Sequence, residues 1–284
     1  MTAMKKLLLL TALFLLLCIS SQAQRGSQSV IDSLLLELPK AKEDTNKVQL
    51  YNEIIWEYVE ISSYDGLKYE KPATELAGKL KWKEGVRKIK ESIGKLYWRK
   101  GNFEQALKYH FDELKIVEET GDKKRTAQCF SNIGQDYADD SNYPEALKYF
   151  SKADGIWKET GNKYALANNY LFFSFVYGCL GNFAESSKSN TEALEIFESL
   201  GDKYSASIAM TNMGRDFFQL GNLPKALQYY KEGLIAIIET GDKVNECGCY
   251  ISMGSLYKSM RNYSEATSSN LMALKVGQEI NNPA

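Results

Sequence analysis

Residues with reactive side chains are few in this chain of 284, which holds one histidine, His110, and five cysteines. A Ser-His-Asp relay needs its imidazole held between two partners. His110 instead occupies a slot that Phe150, Asn190, Tyr230 and Asn270 fill at successive steps of 40 residues, which gives it a structural or surface role. Cys247 and Cys249 stand two apart, and on a helix such side chains do not face each other. Cys129 and Cys249 fall at the same step position, three steps apart and beyond disulfide reach. Cys179 has no evident partner, so the thiols read as small buried residues. Asp136, Asp139 and Asp140 lie close together, but calcium requires oxygens at regular loop spacing, and a solvated acidic turn is expected. The string Gly-Asp/Asn-Lys at 121–123, 161–163, 201–203 and 241–243 invites a phosphate-loop reading. No G-x-x-x-x-G-K-[ST] or G-x-G-x-x-G pattern accompanies it. No catalytic residue, no metal site and no cofactor are expected, and the chain reads as a non-enzyme.

What the strings do instead is mark a period. Shifted by 40 residues, the chain aligns with itself, and such self-similarity is the signature of a repeat architecture. A second loop lies half a period away, with "GNF" at 101–103, "SNY" at 141–143, "GNF" at 181–183, "GNL" at 221–223 and "RNY" at 261–263. Small residues precede it (Gly94, Gly134, Ser174, Gly214, Gly254) and follow it (Ala106, Ala146, Ser186, Ala226, Ala266), with aromatics at Tyr97, Tyr137, Tyr177, Phe217 and Tyr257. Between loops the apolar spacing is helical, as in Tyr143, Ala146, Leu147, Phe150, Ala153, Ile156 and Trp157. Each unit is therefore helix A, loop, helix B, loop, drawn as 47–86, 87–126, 127–166, 167–206, 207–246 and 247–284. Small residues let the two helices approach and the aromatics fill the remaining space. Glycine stops helix B, and the Asp or Asn after it caps the next helix A. The recurring lysine falls in a first helical turn, where its charge opposes the helix dipole.

Gly-x-x-Tyr followed by "GNFEQALKYH" and a helix B alanine resembles the tetratricopeptide repeat, here with 40 residues per unit in place of 34, similar to the long-helix variant of kinesin light chain. The resemblance covers 47–284 and implies an all-α, right-handed superhelical solenoid of antiparallel helix pairs, about six units long. The first unit departs from it, lacking Gly-x-x-Tyr and carrying Pro72 inside helix B, where a proline kinks a helix. It is expected to act as a terminal cap. The array breaks off at "EINNPA" without a polar capping helix, so the last repeat is expected to fray or self-associate.

The resemblance further implies that helix A residues line a concave binding face. Mapped onto this chain, that face comprises Lys88, Lys95, Asn132, Gln135, Asn168, Phe172, Phe175, Asn212 and Arg215. The carboxamides of Asn132 and Asn212 suit an extended peptide backbone, the phenylalanines an apolar side chain, and the cations an acidic group. The carboxylate clamp by which chaperone-tail members bind corresponds to Glu91, Lys95, Asn132, Asn168 and Phe172, of which only Asn132 matches, so that ligand is excluded.

Charge and leader bound the setting. With 35 basic against 36 acidic residues, the chain lacks the footprint of a nucleic-acid binder. Residues 1–23 read as a signal peptide: a basic start with Lys5 and Lys6, an apolar run from Leu7 to Ile19 and a small-residue site ending at Ala23. The run is short for a membrane span, and Leu17 before Cys18 does not suit lipidation. Residues 24–46 form an extension with a short helix ending near Pro39. Two readings follow. The first is an exported, periplasmic or secreted, non-enzymatic scaffold for a protein or peptide, with no membrane insertion of the mature chain. The second is the periplasmic input region of a histidine kinase, adenylate cyclase or transcription regulator whose membrane and effector parts lie beyond residue 284.

Overall fold

The computed structural model describes residues 28–61 and 64–281. The signal-peptide segment, with Cys18 and Ala23, lies outside them. Two compact units divide the chain, the first ending at Ile156 and the second starting at Trp157. Among the described residues no helix is long and apolar enough to cross a membrane.

The first unit opens with α1 (28–37), a short 3-10 turn (Leu38–Lys40) and α2 (Thr45–Glu60), which is capped by the Asp44 carboxylate on the Asn46 and Lys47 amides. After a 3-10 stretch (Tyr64–Tyr69) comes the short α3 (Glu70–Lys79), then α4 (Lys83–Arg99), α5 (Phe103–Glu118), α6 (Lys123–Asp139) and α7 (Tyr143–Thr160), whose residues from Trp157 on belong to the second unit. Pro72 does not kink a helix. It is the third residue of α3, in the first turn, where a missing N–H removes no intrahelical bond. The 3-10 stretch absorbs what would have been the first turn of helix B. The second unit continues with α8 (Lys163–Cys179), α9 (Phe183–Leu200), α10 (Lys203–Gln219), α11 (Leu223–Thr240), α12 (Lys243–Ser259) and α13 (Tyr263–Asn281). Each helix A from α4 onward begins at the recurring lysine, so the natural unit starts four residues earlier than boundaries drawn at 87, 127, 167, 207 and 247.

The loops work as joints. Gly121, Gly161, Gly201 and Gly241 all have φ between 66° and 75°, the left-handed region in which glycine has no Cβ penalty. Asp122, Asn162 and Asp202 then accept from the amides of Arg125, Ala165 and Ser205 at 3.0–3.2 Å. Each cap contributes about 1 kcal/mol. The lysines that open helix A have a role that the sequence did not reveal. Lys83, Lys203 and Lys243 pair with Glu119, Glu239 and Glu279, 36 residues on, at 2.6–3.2 Å. Each pair joins the start of a helix A to the end of the following helix B, so two charges opposed to their own helix dipoles offset each other.

Packing follows the small–large pattern. The aromatic of helix A stacks on an aromatic of helix B: Tyr97 on Tyr109 and Tyr137 on Tyr149 in the first unit, Phe217 on Tyr229 in the second, with centroids 5.4–5.6 Å apart. The first unit buries Val48, Ile55, Ala73, Leu76, Ile89 and Ile93 in one cluster, and Leu114, Val117, Cys129 and Ile133 in another. Each fully buried isoleucine contributes about 1.5–3 kcal/mol. The second unit buries Ala193, Phe197 and Ala206, and further on Ala226, Tyr230, Ile237, Met253 and Leu256. Cys129 and Cys249 are buried as expected, whereas Cys179 is exposed at the end of α8, where helix A runs out.

Candidate functional site

Three of the helix A residues mapped by resemblance meet in the first unit. Lys95 on α4 and Asn132 and Gln135 on α6 line a cavity of about 270 Å³, together with Trp56, Val59 and Glu60 of α2, Trp98 and Arg99 of α4, His110 of α5 and Asp136 of α6. Lys88, further back on α4, is half-buried and not part of this lining.

The cations at the cavity are already matched by acids. Lys95 Nζ donates to Glu91 at 2.8 Å and sits 4.6 Å from the Trp56 ring centre. Arg99 lies 3.6 Å from Glu60. The Trp98 indole N–H donates to Asp139 at 2.6 Å. Glu91 ties Lys95 to a deeper network, in which Arg87 donates to Glu84, Glu91 and Glu113 at 2.5–3.1 Å. Glu84 also accepts from Arg125. Burial opposes ionisation of both acids, but Arg87 and Arg125 hold Glu84 below the ordinary glutamate range, and Lys95, then Arg87, hold Glu91 below it. Glu113, 3% exposed, is pushed up to about 7, chiefly by burial and then by the nearby Glu91 charge. Lys95 thus already pairs with Glu91 on its own helix and lies over the Trp56 ring.

His110 and Asp136 were not expected at a site. Asp136 is 1% exposed rather than a solvated turn residue. His110 Nδ1 lies 2.6 Å from its Oδ2, and burial raises the Asp136 carboxyl above its usual range while the imidazole bond opposes that rise. His110 is 2% exposed and its Nε2 has no partner. The ring fits because the facing residue is Gly94: a Cβ there would come within 2.5 Å of His110 Nε2. Gly134 and Gly214 make the same room for Phe150 and Tyr230. Asn132, also among the lining residues, has its side-chain nitrogen buried without an acceptor, while its Oδ1 accepts from Gln128.

The signal for this pair was present in the internal repeat. His110 and Asp136 are 26 residues apart, as are Asn190 and Asp216, whose side chains bond at 2.8 Å in the second unit. Tyr230 and Leu256, at the same spacing, share an apolar cluster. The two positions change character together, polar with polar and apolar with apolar.

The other mapped residues lie in the second unit on α8 and α10. Asn168 turns back to donate to the Tyr164 carbonyl of its own helix at 3.0 Å. Phe172 and Asn212 are half-buried, and Phe175 and Arg215 are exposed. Among the described residues, no three His, Cys, Asp or Glu side chains come together as metal ligands.

Repeated helix pairs joined by glycine–cap loops define a helix-hairpin repeat protein. The tetratricopeptide repeat profile matches residues 86–159 and 164–235, just over half of the chain, and the chain belongs to that family. Among solved structures it is similar to a signal transduction ATPase with numerous domains and a tetratricopeptide repeat sensor, from Pyrococcus horikoshii. The identity is 22% and the TM-score 0.74, covering 89% of this chain and 40% of that one. The chain thus spans about two fifths of that protein's length. It is also similar to the apo form of RapI, at 13% identity and TM-score 0.68 over 95% of this chain and 98% of that one. A third likeness is to the Rap conjugation gene regulator of the plasmid pLS20 in complex with the Phr* peptide, at 12% identity and TM-score 0.63 over 90% and 76%. At these identities the likeness is one of fold. No curated protein matches the chain.

Proposed function

We propose that this chain is a non-enzymatic protein-binding scaffold that holds a peptide segment on its helix A residues, with the first unit's cavity as an anchoring point. The observation that carries this reading is the meeting of Lys95, Asn132 and Gln135 with two indoles and His110 around one cavity. Apolar walls with a few convergent polar groups are the usual make-up of a recognition pocket. A structural neighbour solved with a bound peptide supports the same reading. His110 and Asp136 form two parts of a relay, but no hydroxyl or thiol meets Nε2, which favours binding over catalysis. Selection of peptides displayed on phage tests the proposal. Enriched sequences should lose tenfold or more in affinity with Asn132→Ala, at unchanged thermal stability. Failure to enrich any sequence, or affinity indifferent to Asn132, would overturn it.

The scaffold is proposed to be exported, on the strength of the leader-like residues 1–23. Mass spectrometry of the protein from its own cell should find Gln24 as the first residue, and a retained Met1 would refute export. The alternative, an input region of a signalling protein, draws support from the neighbour whose tetratricopeptide repeats are a sensor within a longer chain. Reading the genomic frame past Ala284 decides it: an effector domain supports the sensor, a stop codon the scaffold.

A further inference from the structure

We infer that the first unit's cavity takes an arginine side chain, its guanidinium stacked on the Trp56 indole and forked onto the Glu60 carboxylate. The inference rests on reading that cavity as the anchoring point of a peptide, and it names the residue anchored there.

The two groups that receive the guanidinium are open to solvent. Trp56 and Glu60 stand four apart on α2, and so share one helix face. Trp56 is 37% exposed and the Glu60 side chain 44%, and both line the cavity. The chain's own cations show what these surfaces attract. Lys95 Nζ rests 4.6 Å from the Trp56 ring centre, and Arg99 stands 3.6 Å from Glu60. Neither fills its place. Lys95 is tied back to Glu91 on its own helix. Arg99 lies beyond hydrogen-bond length of Glu60, so the carboxylate keeps its oxygens for the two parallel N–H donors of a guanidinium.

The charges point the same way. Glu60 and Asp136 on the lining, with Glu91 and Asp139 bonded to lining residues, outnumber the cations Lys95 and Arg99. An anion meets a repelling field there, and a cation an attracting one. The size suits one side chain, since about 270 Å³ falls below the roughly 300–1,000 Å³ of a pocket for a whole small molecule. Val59 and the Trp98 ring suit the methylenes of an arginine stem. Half-buried Gln135 adds an amide oxygen for a further guanidinium N–H. A lysine ammonium is compact and strongly hydrated, and neither forks nor stacks flat.

The chain has four tryptophans, so four indole N–H signals in a 1H–15N spectrum report on binding. Trp56→Phe and Trp98→Phe assign the two at the cavity. N-acetyl-argininamide and its uncharged analogue N-acetyl-citrullinamide are titrated separately into the protein. The arginine compound should move the Trp56 and Trp98 signals saturably, and the citrulline compound should bind at least tenfold more weakly. Trp82 and Trp157, which are not on the lining, should stay in place and report that each variant is folded. Glu60→Gln keeps the side-chain shape at the last residue of α2 and should weaken the arginine response tenfold or more. Equal responses to the two compounds, no response to the arginine compound, or an undiminished response in Glu60→Gln would overturn the inference. A display-selected peptide that moves the Trp56 and Trp98 signals without containing arginine would overturn it too, while leaving the scaffold reading intact.

Discussion

Glu113 shows how burial and pairing compete at one carboxyl. Arg87 donates to it, yet burial and the Glu91 charge lift it to about 7. A carboxyl raised in the folded state binds its proton more tightly there than in the unfolded chain. Its contribution to stability is therefore fully present below the ordinary glutamate range and is lost as pH rises through about 7. The shift corresponds to at most roughly 3.5 kcal/mol. Chemical denaturation between pH 5 and pH 8 should show stability falling. Glu113→Gln should flatten that slope, because Arg87 keeps Glu84 and Glu91. An unchanged slope in the variant would contradict the assignment. At this scale the sequence was only partly legible. Asp136 looked solvated because its neighbours Asp139 and Asp140 are polar. Its burial depends on a histidine one repeat position away in space, and only the paired change of His110/Asp136, Asn190/Asp216 and Tyr230/Leu256 marks it.

Helix boundaries were far more legible, since caps and helix ends are set by local chemistry. Glycine and the Asp or Asn after it stop one helix and start the next, and the observed φ values and cap bonds match that reading at Gly121, Gly161 and Gly201. The exceptions can be tested. Ser141 and Arg261 hold left-handed backbone, at φ 62° and 59°, where their repeat equivalents Gly101, Gly181 and Gly221 are glycine. A side chain in that region costs about 1–2 kcal/mol, partly offset by the greater freedom of an unfolded glycine. Arg261→Gly and Ser141→Gly should each raise stability by roughly 0.5–1 kcal/mol in urea denaturation. Destabilisation by either would show that the side chain makes a contact worth more than the strain. Conversely, Gly94→Ala gains helix propensity but drives a methyl into His110, within 2.5 Å. Overpacking costs about 1–3 kcal/mol, so a net loss of stability is expected, and a more stable variant would mean that the ring can move aside. The start of α3 was misread because Pro72 was placed by repeat register, and the register slips where the 3-10 stretch Tyr64–Tyr69 replaces a helical turn. The lysines of the loops were unexplained because their glutamate partners stand 36 residues away, a spacing that becomes contact only through the hairpin.

For the whole chain, the 40-residue period was enough to identify the family, because each repeat buries its apolar faces against its neighbours and the pattern must recur for the array to hold. The candidate site was less legible. Periodicity marks which positions face a given side, but not which of them a neighbouring charge has already neutralised, as Glu91 does for Lys95. The central claim is that the first unit's cavity, between α2, α4, α5 and α6, anchors a peptide. Hydrogen exchange with and without a saturating display-selected peptide tests it most directly. The account predicts slowed exchange in α4 and α6 around Lys95 and Asn132, abolished when the peptide is added to the His110→Tyr, Asp136→Leu protein. Protection confined to other helices, or unchanged by that replacement, would contradict it.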